Sequence, residues 1–175
     1  VNEQAYSGGL VGQYLDAGFE ALIMDFDNPS AAHPEWDAET AYLPHHAAGA
    51  DGRRIALLWS NTIAFQQMQR LAHGDIELDT YAAFVRGRHG NGPRALCLYA
   101  SDAEIFDFRP GRFKTEERLS GREWPRLEQA LRRVTQDGAV LTRPSGILAL
   151  LQAPGAGRTL RLESAAMPVP VKKQR

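Results

Sequence analysis

"FEALIMDF" occupies residues 19–26. It is a short, continuous apolar run, not an alternating one. Such runs suit strands buried on both faces, as in parallel sheets. Just upstream, "GGLVGQYLDAG" (8–18) sets Leu10, Val11, Tyr14 and Leu15 at helical spacing and stops on Gly18. That is a helix with its end signal. Working outward, two more buried runs follow, "RIALLWS" (54–60) and "RALCLYA" (94–100), then a shorter fourth, "AVLT" (139–142). Helical patterns fill the gaps. "NTIAFQQMQRLAHG" (61–74) spaces Ile63, Phe65, Met68 and Leu71 on a helix and ends on a glycine. "DIELDTYAAFVRGRHGNGP" (75–93) reads as a second helix with Asp75 as N-cap. "EWPRLEQALRRVTQ" (123–136) puts Leu127, Ala130, Leu131 and Val134 on one face, with Pro125 in its first turn. "RPSGILALLQ" (143–152) predicts a short helix after the fourth run. Alternation of strands and helices argues for an α/β architecture with parallel strands. The connections are long enough for crossovers. One stretch, 27–52, reads as a long polar loop rich in Pro and Ala. Loops of that length are usually functional or disordered.

Composition narrows the class. The chain has 175 residues, 43% of them hydrophobic, and a formal net charge of −1. That suits one ordinary domain or part of a larger one. No apolar run approaches the roughly 20 residues of a membrane span, and no secretory signal opens the chain. The near-neutral charge gives no electrostatic case for nucleic acid. Cys97 is the only cysteine, which excludes an internal disulfide and a Cys-based metal site. Set in "ALCLY", it reads as a buried, inert thiol. A cytoplasmic location is expected. The chain starts at Val1 without Met and closes on the Pro-containing basic stretch 164–175. Both ends read as cut, so residues 1–163 are expected to be part of a larger catalytic domain, followed by a tail or linker.

Polar residues gather after each apolar run. Asp25 and Asp27 follow the first, Ser60 and Asn61 the second, Ser101, Asp102 and Glu104 the third, and Arg143 and Ser145 the fourth. Open α/β sheets and α/β barrels place their ligand sites at the carboxyl ends of strands. Several acids near one mouth suit glycosidic bond cleavage, which needs two carboxyl groups facing each other across the bond. Glu3, Asp25, Asp27, Asp102 and Glu104 are the candidates. Tyr6, Trp36, Trp59, Phe106 and Phe108 are the aromatics that could present flat faces to sugar rings, or simply pack the core. A metal site is weakly supported, because His45 and His46 are adjacent and point to opposite sides of a strand, and no spaced His pair occurs. The glycines of "GRHGNG" (87–92) lack a P-loop lysine.

At this point the residues resemble a family. "SDAEIFDFRPGRF" (101–113) is similar to the fourth motif of glycoside hydrolase family 57, an Asp, any residue, Glu, any residue and Phe after a barrel strand. Here these are Asp102, Glu104 and Phe106. "NEQAYSGGLVGQYLDAGFEALIMDFDN" (2–28) resembles the third motif through Glu3, Leu10, Gly18 and the following strand. Ser60-Asn61 stands where that family usually has Arg-Asp, and "VN" stands before Glu3 in place of Leu-Pro. The resemblance implies an incomplete (β/α)7 barrel and a retaining hydrolase or glucanotransferase acting on α-linked glucans. By that carry-over Glu3 is the nucleophile and Asp102 the general acid/base, with Trp59, Asp25, Asp27, Glu104, Phe106 and Trp36 around the substrate. No cofactor or metal is implied. The implied partners are an α-glucan or oligosaccharide and the missing amino-terminal half of the barrel, without which the isolated chain is expected to be inactive and to aggregate. Two other classes stay open: a non-catalytic carbohydrate-binding or scaffold fragment, and a metal-dependent polysaccharide deacetylase-like protein.

Overall fold

The computed structural model describes residues 6–100 and 122–162. Glu3, Asp102, Glu104 and Phe106 lie outside those residues. The described residues divide into two compact units, one made of 6–62, 92–96 and 142–162, the other of 63–91, 97–100 and 122–141.

The first unit is a mixed α/β unit. Helix α1 (Gly9–Asp16) leads into strand β1 (Ala21–Asp25), the short helix α2 (Asp27–Ser30), a 3-10 turn (Ala38–Tyr42), β2 (His45–Ala48) and β3 (Arg54–Ser60). After the second unit, helix α6 (Pro144–Ile147), a 3-10 turn (Leu148–Gln152) and β4 (Thr159–Leu160) complete it. The sheet order is β1-β3-β2-β4. β1 runs parallel to β3, with Met24 opposite Trp59 and Asp25 opposite Ser60. β2 is antiparallel to β3, with His45 opposite Leu57, and parallel to β4.

The "FEALIMDF" reading holds in part. Residues 21–25 form a strand, but an edge strand: Ile23 is 47% exposed while Met24 is buried. "RIALLWS" forms the central strand, buried from Ile55 to Ser60. Its two partners satisfy its backbone groups on both sides, which lets a wholly apolar strand sit in the core. The core of this unit gathers Tyr6, Val11, Met24, Ala47, Ile55, Leu57, Trp59, Leu160 and Leu162. The Tyr6 hydroxyl donates to the Ala48 carbonyl at 3.0 Å, so this buried ring keeps its polar end paired.

α1 ends where its glycine indicates. Gly18 has φ +86°, and the N–H groups of Gly18 and Phe19 donate to the carbonyls of Leu15 and Tyr14. This is the Schellman arrangement, which needs a left-handed residue at its turn.

The second unit holds helices α3 (Thr62–His73), which starts on the last residue of the first stretch, α4 (Leu78–Arg86) and α5 (Glu123–Gln136). Leu127, Ala130 and Val134 are buried on α5 and Leu131 half-buried. On α3 the buried residues are Ala64, Met68, Leu71 and Ala72, whereas Ile63 is 45% exposed. Asp75 is not the N-cap of α4; Glu77 holds that position. The Asp75 N–H donates instead to the Arg70 carbonyl at 2.7 Å, beside Gly74 at φ +84°. Asp75 therefore closes α3, because a second Schellman turn there has prior use for its backbone.

Two expected strands are absent and two unexpected ones appear. "RALCLYA" and "AVLT" form no strand. The first has no β-branched residue, and of its backbone only Ala95 is bonded across to another segment among the described residues, donating to Tyr42. In the second, Val140 is 85% exposed. Cys97 is accordingly half-buried in irregular chain, its thiol pushed up chiefly by burial. β2 lies inside the stretch read as a loop. His45 and His46 do point to opposite sides, the first fully buried and the second half-buried. β4 was not foreseen, since a two-residue strand carries no periodicity. No helix among the described residues is long and apolar enough to cross a membrane.

Candidate functional site

The carboxyl ends of the parallel pair β1 and β3 carry the described candidates. Asp25 ends β1 opposite Ser60, which is 4% exposed. Both Asp25 carboxylate oxygens accept from the Thr62 hydroxyl at 3.0 Å. Asn28 Nδ2 donates to Oδ2 at 3.4 Å and the Asp27 N–H to Oδ1 at 3.3 Å. Thr62 is the first residue of α3, so one carboxylate ties together the end of β1, the turn after it and the start of the next helix. Such a carboxylate braces the backbone on both sides of the strand end. Asp27 is exposed at the start of α2, its carbonyl accepting from the Ser30 hydroxyl at 3.4 Å.

Beside this brace lies an aromatic cluster. Trp59 is 6% exposed and meets Phe26 edge-on at 5.2 Å between ring centroids. Trp36 lies 6.0 Å from Trp59 and 6.2 Å from Phe26. Its ring is also stacked on His33, at 4.4 Å and an interplanar angle of 3°. Of the rings expected to present flat faces to sugar, Trp36 and Trp59 thus pack with Phe26 and His33, as hydrophobic area favours. His33 Nδ1 lies 2.9 Å from Glu35 Oε1. A carboxylate only accepts, so this pairing selects the tautomer with hydrogen on Nδ1. The Glu35 carboxyl is held below its usual range, first by its own backbone N–H and then by the His33 ring. His33 Nε2 and Trp59 Nε1 are buried without a hydrogen-bond partner among the described residues.

Thr62, Asn28, Phe26 and His33 were not among the residues singled out from sequence. Two signals pointed to Thr62 and His33, and none to Asn28 or Phe26. "SNT" closes a buried run directly before a helix, and "HPEW" holds an imidazole, a carboxylate and an indole within four residues. Among the described residues no group of three His, Cys, Asp or Glu side chains could hold a metal ion. The arrangement can orient a strand end and a loop rigidly; the two carboxyl groups assigned to bond cleavage, on Glu3 and Asp102, are outside the described residues. No family model, no curated protein and no solved structure matches the chain.

Proposed function

We propose that this chain is the carboxyl-terminal part of a family 57-type (β/α)7 catalytic barrel that cleaves or transfers α-linked glucans with retention. One observation carries the proposal: the ordered third-like and fourth-like motifs, Glu3 to Gly18 and Asp102 to Phe106, flank a parallel strand pair whose carboxyl ends bear Asp25 and Ser60 in register. In this reading Glu3 attacks the anomeric carbon and the C–O bond to the leaving sugar breaks. Asp102 gives its proton to the departing oxygen. Asp102 then takes a proton from water, or from an acceptor sugar hydroxyl, which displaces Glu3 and restores the anomeric configuration. Asp25 braces the strand end, Trp36 and Trp59 stiffen the loop beside it, and Asp27, Glu104 and Phe106 lie nearer the substrate.

The test is an assay of the chain joined to the barrel half that carries the first two motifs. Asp102→Asn should lose about 10²–10⁴-fold on unactivated α-glucan and much less on a glycoside with an activated leaving group. Glu3→Gln should lose turnover on both. Full activity in either variant on unactivated glucan would overturn the assignment, and so would an inverted product seen by NMR.

A further inference from the structure

His45 is wholly buried in β2, yet neither ring nitrogen has a hydrogen-bond partner among the described residues. A neutral imidazole carries one donor and one acceptor, and here neither is met in good geometry, the Thr40 backbone acting on the ring only weakly; an imidazolium would add a second donor and a charge. Leaving buried polar groups unpaired is costly, and a buried unpaired charge far more so.

Its surroundings make the charged form worse. Asp37 caps the 3-10 turn by accepting from the Thr40 N–H at 2.9 Å and the Thr40 hydroxyl at 3.0 Å. Arg158 donates to the same Thr40 hydroxyl oxygen, which places a guanidinium on this network. Thr40 is 1% exposed. The chain around Arg158 is stitched to β2, since His46 N–H donates to the Arg158 carbonyl at 2.8 Å and Gly157 N–H to the Pro44 carbonyl at 3.0 Å. From β3 the residue opposite His45 is Leu57, which offers no acceptor side chain. The charged and titratable groups acting on His45 are therefore Arg158 and His46, which oppose its protonation, and Asp37, which favours it together with the Thr40 backbone.

We propose that His45 is an acid-sensitive latch, a neutral imidazole sealed beside the Asp37–Thr40–Arg158 network, whose protonation releases that turn together with β2 and β4. The loop freed in this way is the one that carries His33 and Trp36 beside the end of β1. Burial first, and Arg158 second, lower the ring from 6.5 to about 4. A base whose folded value is depressed binds its proton more readily in the open state. The closed form is thus fully favoured above 6.5 and loses ground as pH falls towards about 4, by up to about 300-fold in the opening equilibrium.

Hydrogen exchange of the full chain, corrected for intrinsic rates, reads this directly. Residues 37–48 and 157–162 should open more by about tenfold for each pH unit below 6.5, while α4 and α5 keep their protection. His45→Leu should abolish the acid-dependent rise. If that variant fails to fold, Arg158→Gln is the second arm. It loosens the turn at neutral pH, but removal of the guanidinium should make the acid rise level off at a higher pH, with a smaller total than in the parent. An unchanged rise in His45→Leu, or an unchanged total rise in Arg158→Gln, would overturn the latch. So would NMR of the parent chain showing His45 protonated while these segments stay protected.

Discussion

"RIALLWS" and "RALCLYA" are near twins in sequence and unlike in structure. Each starts on Arg and continues with Ala, Leu and one aromatic. The first is the central strand β3, with Ile55 to Ser60 buried and a partner on each side. The second is half-buried along its length and forms no strand. Its Arg94–Leu96 portion belongs to the first unit and its remainder to the second. An apolar run states a need for cover, while the strand itself is conferred by neighbours able to take its N–H and C=O groups.

The largest test of that contrast is a pair of truncations. Leu57→Ala, at a position 0% exposed, should cost about 2–5 kcal/mol, by transfer and by the cavity left behind. Leu98→Ala, half-buried, should cost about 1 kcal/mol. Urea midpoints of the full chain would compare them, and equal losses would break the comparison.

A pair of glycines sharpens it. Gly49 ends β2, and a Cβ there would stand 3.0 Å from both the Arg53 carbonyl oxygen and Val11 Cβ. Gly49→Ala should therefore cost about 1–3 kcal/mol by overpacking. Gly92, just before the second run, has nothing within 4 Å of such a Cβ. Gly92→Ala should be neutral or stabilise by about 0.4–1 kcal/mol, through a less free unfolded chain. Thermal melts of the two variants should move in opposite directions or not at all for Gly92.

The smallest effect belongs to the leading arginines. Arg94 pairs with Glu39 and lies 4.1 Å over the Tyr42 ring centroid. Arg54 is exposed and, among the described residues, its side chain reaches only the Thr159 hydroxyl, at 3.4 Å. Arg94→Ala should cost about 0.2–1 kcal/mol, reduced by added salt, with Arg54→Ala nearer zero. Reversal of that order in melts at low salt would show that the second run is not tethered through its arginine.

Helices were the most legible elements because their signals are local. α5 was readable from residue 123 to 136, and the stop of α1 from Gly18, since periodicity and caps act within a few residues. The Asp75 cap was misread because the α3 terminus and the α4 start compete for one backbone, and only the folded turn decides between them. At the site, Asp25 was visible as a strand-end acid, but its tie to Thr62 spans 37 residues. Trp36 and Trp59 were visible as aromatics, yet whether a ring faces ligand or another ring depends on what packs against it.

By itself the sequence determined an α/β composition, the apolar strands "ALIM" and "IALLW", the helix stops and the opposite directions of His45 and His46. Each of these follows from short-range sterics or from the two-residue period of a strand. Tertiary structure alone decided which apolar run became central, which became an edge and which formed no strand. It alone also made a strand of "HHAA" and buried His45 without a well-formed hydrogen bond among the described residues. Pairing and burial are properties of segments far apart in the chain, so no window of sequence contains them.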